Sequence, residues 1–222
     1  MIYSVSLIPV CYFIGSIPFG VIIVKIVQNV DLRNYGSGNT GMTNVLRTTG
    51  PIPAIIVLVL DAGKGALAVL LTENLVSSPQ IEVMAALSAL TGHNWSIFLK
   101  FKGGKGTATG LGALCAISPL AAGVVLCISV PIILISRYMS LASIIGSGSA
   151  LIVLCVFSVY NQDSTWGVTS PIYILYTVIG APLIIFKHKE NITRLLKGQE
   201  MKIGHSLQNL STQVNNKNDE VR

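Results

Sequence analysis

Charge is what this 222-residue chain has least of. Only 11% of its residues are Asp, Glu, Lys or Arg, against about 25% in an ordinary soluble domain. So few charges cannot cover the surface of a water-soluble protein of this length. Apolar residues make up 51% of the chain, the mean hydropathy is +0.68, and the apolar residues come in long runs. Runs of roughly 20 such residues are what a bilayer requires, so the expected class is an all-α polytopic membrane protein.

The marks of other chemistries are also missing. The first charged side chain is Lys25, so no basic segment precedes the opening apolar run. That run is expected to be a retained span rather than a cleaved signal. Cys11, Cys115, Cys127 and Cys155 all sit in apolar runs, with no C-x-x-C spacing and no nearby His pair. They read as small packing residues, and no metal site or cofactor is expected. Both Gly-Lys pairs, Gly63-Lys64 and Gly104-Lys105, are followed by Gly rather than Ser or Thr. That removes a Walker A loop and with it the argument for nucleotide binding.

Seven apolar segments are present: Ile2–Val24, Pro53–Leu71, Ile81–Leu99, Thr107–Ile117, Leu120–Ile135, Leu141–Tyr160 and Pro171–Phe186. Taken as seven spans with the amino terminus outside, they put every Lys and Arg except Lys64 on the inner side. The outer linkers Thr72–Gln80, Ser118–Pro119 and Asn161–Ser170 carry none. Such one-sidedness follows the positive-inside rule. Omitting the short fourth segment would break it. The expectation is therefore a multi-pass protein of the bacterial inner membrane with a cytoplasmic carboxyl terminus. Residues 1–204 form one membrane domain, and 205–222 form a polar, disordered tail. The net charge of +6 then faces the cytoplasm, where lipid headgroups and phosphorylated metabolites are found.

Three inner segments are more elaborate than helix connections need to be. Asp31–Gly50 combines Gly36, Gly38 and Gly41 with Ser37, Asn39, Thr40, Thr43, Asn44 and Arg47. Glycine lets backbone approach a ligand, hydroxyls and amides hydrogen-bond it, and Arg47 offers a forked cation suited to phosphate. A plain glycine-rich turn is the alternative. Lys100–Gly110 brings three lysines and four glycines to the start of a helix, where backbone N–H groups and the helix dipole favour anions. Close helix packing through small residues is the alternative for Thr107–Gly112. In Lys187–Gly198, His188 and Asn191 are three apart and share a helix face. His93 either orients the second loop or caps the third span. Asp61 and Lys64, also three apart, lie inside the second span, where each costs roughly 2.5–3.5 kcal/mol to insert. They form either a functional pair or an ion pair that braces the loops. No buried carboxylate is expected in the three loops.

In their order, spacing and shared membrane side, these strings resemble the bacterial acyl-phosphate:glycerol-3-phosphate 1-acyltransferases. The resemblance runs to about Gly204. It rests on Gly15-Ser16-Ile17-Pro18-Phe19-Gly20, Gly36-Ser37-Gly38-Asn39-Thr40-Gly41 with Asn44 and Arg47, and Asp61-Ala62-Gly63-Lys64-Gly65. It continues with Gly92-His93-Asn94, Phe101-Lys102-Gly103-Gly104-Lys105-Gly106 and His188-Lys189-Glu190-Asn191-Ile192. Met42 departs from the Ala expected there.

The resemblance implies a seven-helix enzyme that acylates glycerol 3-phosphate from an acyl phosphate. Its implied partners are those two substrates and membrane lipid, with no nucleic acid, and the enzyme that makes the acyl phosphate. Ser37, Arg47, Lys105, His188 and Asn191 are implied as catalytic. Gly38, Asn39, Asn44, Gly103, Gly104 and Gly106 are implied as substrate-binding, the glycines letting backbone approach phosphate. The His-x-x-x-x-Asp motif of the other large glycerolipid acyltransferase class is absent, since Phe98, Thr193 and Leu210 stand where its Asp would be. No nucleophile–His–carboxylate set is recognisable, which fits direct transfer from an already activated donor. A transporter of a phosphorylated metabolite is the competing class. It predicts polar residues through the full membrane depth or an internal repeat, and the sequence has neither.

Overall fold

The computed structural model describes residues 2–160 and 170–204. Most of the linker Asn161–Ser170, expected to be outer, and the tail at 205–222, expected to be disordered, lie outside them. Among the described residues every regular element is helical. In chain order the α-helices are α1 Ile2–Ser16, α2 Phe19–Gln28, α3 Met42–Thr49, α4 Pro51–Val76, α5 Pro79–Asn94, α6 Thr107–Ile117, α7 Pro119–Ser136, α8 Met139–Tyr160, α9 Ile174–Lys187 and α10 Lys189–Leu196.

Proline sets several of these starts. Pro51, Pro79 and Pro119 each occupy the first turn, where the missing N–H has no helical partner to lose. Ser118 caps α7 by accepting a hydrogen bond from Ala121 N at 3.3 Å, as N-cap serines do. Asn29, Ser77 and Arg137 close α2, α4 and α7 in the left-handed conformation.

The first apolar segment is not one straight helix. It breaks at Ile17-Pro18 and resumes as α2, reaching Gln28. A break at membrane depth frees carbonyls that lipid cannot satisfy. Here Ser96 Oγ donates to Ser16 O at 2.5 Å, and Lys64 Nζ donates to Ile17 O at 2.8 Å. The break is thus built into the packing of α4 and of the segment after α5.

Four stretches are long and apolar enough to cross a bilayer: Val5–Gln28, Pro51–Val76, Pro119–Ser136 and Met139–Val159. A fifth is added if α9 and α10, bent by 59° at His188, are taken together. Length alone therefore gives four or five spans, not seven. The third and fourth segments become α5 and α6, of 16 and 11 residues, against a usual span of about 20. Both are packed inside the bundle, α5 against α1 and α4, and α6 against α4. Contact between α4 and α6 is close because each offers a glycine. A Cβ on Gly65 would collide with Thr109 O, and one on Gly112 with Ala62 O.

The main apolar core joins α4 through α9 around Val69, Ala86, Leu114, Ile117, Ala122, Leu154 and Tyr176. The two tyrosine hydroxyls within it are paired. Tyr176 OH donates to Gly110 O at 2.7 Å, and Tyr173 OH donates to Glu82 Oε2. By contrast, Ile52, Ile135, Ile152 and Val159 are among many large apolar side chains left exposed. Such an outer surface suits lipid, not water.

Candidate functional site

The three basic segments converge at one end of the bundle. In the first, Asn44 near the start of α3 laces the loop together. Its Nδ2 donates to Tyr35 O at 3.0 Å and to Asn39 O at 2.9 Å, while its Oδ1 accepts from Ser37 N at 2.9 Å. This side chain holds Ser37 and Asn39 at the mouth of a cavity. Arg47, one turn further along α3, is buried at 8% exposure. One terminal nitrogen, Nη2, donates to Met201 O at 3.0 Å. Its Nε is buried without a hydrogen-bond partner among the described residues. Burial lowers the guanidinium pKa, with Glu200 opposing it, yet a guanidinium stays charged at any ordinary pH.

The second segment turns sharply after α5. Lys100 and Phe101 both take positive φ, and Gly104 N donates to His93 O at 2.9 Å. Gly106, at φ +82°, caps α6 in the left-handed region, a conformation that favours glycine. Lys105 is thereby aimed inward, and its Nζ donates to Asn191 Oδ1. Burial is the largest influence on Lys105. It pushes the ammonium pKa down to about 8, with Arg194 acting in the same direction and Glu200 opposing.

The third segment pivots at His188, between α9 and α10. Its Nδ1 lies 2.8 Å from Ile184 O. A carbonyl oxygen only accepts, so Nδ1 carries the proton. Burial holds the imidazole down at about 4. At neutral pH the ring is uncharged, and Nε2 keeps a free lone pair.

The sequence reading missed Glu200, a buried carboxylate that lies just beyond the third segment. Glu200 is 8% exposed. It accepts from Asn191 Nδ2 at 2.6 Å and Ser140 Oγ at 2.8 Å on one oxygen, and from Arg194 Nε at 2.8 Å on the other. Burial alone would raise its pKa. The hydrogen bonds from Asn191, Ser140 and Arg194 outweigh that and hold it below its ordinary value. A chain of contacts thus runs from Lys105 through Asn191 to Glu200 and Ser140. The sequence signal was an acidic residue alone among Lys197, Lys202 and their neighbours, but nothing there joins it to Ser140 on α8.

One cavity of about 330 Å³ joins these groups. Its polar end is lined by Ser37, Asn39, Asn44, Arg47, Lys105, Gly106, Ser140, His188, Asn191 and Glu200. It continues between α6, α7, α8 and α9, past Leu111, Leu126, Val130, Ile133 and Ile184, to Leu114, Ala150 and Tyr176. The structure therefore brings the five expected catalytic residues to one place, together with Asn39, Asn44 and Gly106. Gly38 lies outside the lining. So do Gly103 and Gly104. They let the second loop lie against the end of α5, where a Cβ would collide with His93 O or His93 Nε2. Among the described residues no group of His, Cys, Asp or Glu has the arrangement of a metal site. The cavity can hold an anionic head against two cations and an uncharged imidazole, with an apolar tail in the slot beyond.

A family model described as glycerol-3-phosphate acyltransferase matches residues 5–198. A protein of that name from Prochlorococcus marinus is 43% identical over 203 residues, covering 91% of this chain and 99% of that one. A glycerol-3-phosphate acyltransferase 2 from Moorella thermoacetica is 45% identical over 195 residues, covering 88% and 95%. The crystal structure of an integral membrane glycerol 3-phosphate acyltransferase in its glycerol 3-phosphate form superposes with a TM-score of 0.81 at 36% identity. It covers 91% of this chain and 96% of that one. A lysophosphatidic acid form of such an enzyme gives a TM-score of 0.79 at 34% identity.

Proposed function

This chain belongs to the glycerol-3-phosphate acyltransferase family, it is an integral membrane enzyme that acylates glycerol 3-phosphate, and we propose that its acyl donor is an acyl phosphate. The reaction joins the acyl group to the sn-1 hydroxyl, giving 1-acylglycerol 3-phosphate and inorganic phosphate. The observation that carries the donor is a continuous cavity whose cationic polar end runs into an apolar slot. Such a shape suits a phosphate head bearing an acyl tail, with a second small phosphate ester beside it.

An acyl phosphate is already activated, because phosphate is a good leaving group. The protein has to place the glycerol hydroxyl against the acyl carbonyl and neutralise charge, which positioning and fixed electrostatics supply. Arg47 and Lys105 hold the phosphates. Arg47 Nε, buried and unpartnered, is a donor suited to a phosphate oxygen. Ser37, His188 and Asn191 orient the hydroxyl and the carbonyl. Asn44 acts through the loop it laces. Glu200, ionised and accepting from three donors, is a poor base and holds Asn191 in place. The hydroxyl proton passes to a substrate phosphate, with His188 Nε2 as the competing acceptor.

In the membrane, the chain crosses seven times with the amino terminus outside. Here α5 and α6 are short, protein-enclosed crossings, and the site faces the cytoplasm of a bacterial inner membrane. The one-sided placement of Lys and Arg supports this arrangement. A further partner is the enzyme that supplies acyl phosphate.

The test offers purified protein in lipid glycerol 3-phosphate with palmitoyl phosphate or palmitoyl-CoA, and measures 1-acylglycerol 3-phosphate. Product from palmitoyl phosphate alone supports the donor. Product from palmitoyl-CoA alone overturns the donor and keeps the enzyme class.

A further inference from the structure

Beneath the two phosphate-suited loops lies a buried charge cluster that the chemistry above does not use. Lys64 Nζ is 2.7 Å from Asp61 Oδ1, and both side chains are 3% exposed. His93 Nδ1 lies 3.6 Å from the same oxygen, an electrostatic contact rather than a hydrogen bond. Removing such a pair from water is costly, and packing alone would be served by apolar residues.

Each member also reaches outward. Lys64 holds the broken end of α1 at Ile17 O. The backbone of His93 accepts from Gly104 N, and its ring stands where a Cβ on Gly104 would be. Asp61 and His93 form part of the wall of the large cavity. With Lys64 they also border a second, water-sized void reaching Thr40 of the first loop and Ser96, which follows α5 and precedes the second loop. The cluster therefore touches the element that aims Lys105, one residue beyond Gly104.

We propose that Asp61, Lys64 and His93 are positioning residues that fix the height of the Gly104–Lys105 segment, so that His93, acting through Gly104, sets the affinity of the site for the phosphate of glycerol 3-phosphate. The inference rests on Lys105 as a phosphate clamp. Asp61 anchors the His93 ring. Lys64 balances the charge of Asp61 and ties it to the break between α1 and α2. Losing the ring frees the loop to settle toward α5 and draws Lys105 back from the cavity. A misplacement of about 1 Å near a reacting group costs up to about 100-fold.

The test measures kcat, KM for glycerol 3-phosphate and thermal stability for the unmodified protein, His93→Ala, Gly104→Ala and their combination. We expect His93→Ala to raise KM about tenfold or more, with a smaller change in kcat and little change in melting temperature. Gly104→Ala raises KM in the parent and adds little in the His93→Ala background, because the two changes disturb one contact. An unchanged KM in His93→Ala, or penalties that multiply independently, overturns the proposal. Asp61→Leu/Lys64→Met removes both charges without stranding either and reads the same quantity if His93→Ala does not fold. A raised KM supports the cluster, and an unchanged one overturns it. An unmodified protein without turnover refutes the underlying functional reading instead.

Discussion

At the residue scale, the site depends on charge states that burial has shifted. Lys105 has its pKa pushed down to about 8, so its ammonium is lost at a lower pH than an ordinary lysine's. A phosphate clamp needs that charge. The pH profile of kcat/KM, which reports free-enzyme ionisations, should therefore fall as pH rises through about 8. Lys105→Arg, which stays charged, should remove that alkaline limb while lowering the plateau. An alkaline limb unchanged in Lys105→Arg would assign it to another group. His188, held near 4, is already neutral across this range and adds no limb near neutrality. For His188→Gln we expect a loss in kcat smaller than about 10-fold with KM retained, since general-base catalysis typically contributes 10²–10⁴-fold. A loss of that larger size would make His188 the proton acceptor. Arg47 and Lys105 were legible in the sequence because a cation among glycines and hydroxyls near a helix has few other uses. Glu200 was not, because its meaning lies in Ser140, 60 residues earlier on α8.

At the element scale, all seven apolar segments correspond to helices, and the fourth has the bounds expected of it. Hydropathy finds such runs because lipid-facing and buried faces are both apolar. It does not find the break at Ile17-Pro18, since the carbonyls it frees are satisfied by Ser96 and Lys64 from distant parts of the chain. Nor does it show that α5 stops at Asn94, short of the expected Leu99. Along α8, Ser140, Ser143, Gly146, Ser147 and Ala150 line the cavity. Ten residues of helix span about 15 Å at 1.5 Å per residue, so Ala150 marks the far end of the slot. Ala150→Phe should shorten the preferred acyl chain. With decanoyl and palmitoyl phosphate as donors, kcat/KM for palmitoyl should fall roughly 10–200-fold, the scale of hydrophobic-pocket discrimination, and decanoyl should change little. Equal losses for both donors would place the tail elsewhere.

At the scale of the whole molecule, the positive charge is the organising feature. The three basic loops meet at one end of the bundle and close over one cavity, between helices whose outer faces are largely apolar. Sidedness is checked by single cysteines at Gln80 and Lys197, in a background lacking Cys11, Cys115, Cys127 and Cys155. An impermeant maleimide added to intact cells should label position 80 and reach position 197 only after permeabilisation. The opposite pattern would invert the topology. The central claim is direct transfer from acyl phosphate to glycerol 3-phosphate inside the cavity. It is tested by following phosphate and 1-acylglycerol 3-phosphate in the same reaction, with palmitoyl phosphate added first. The account predicts no phosphate until glycerol 3-phosphate arrives, then both products in equal amounts. A burst of one phosphate per protein before the acceptor is added, or phosphate without acylated product, would contradict it.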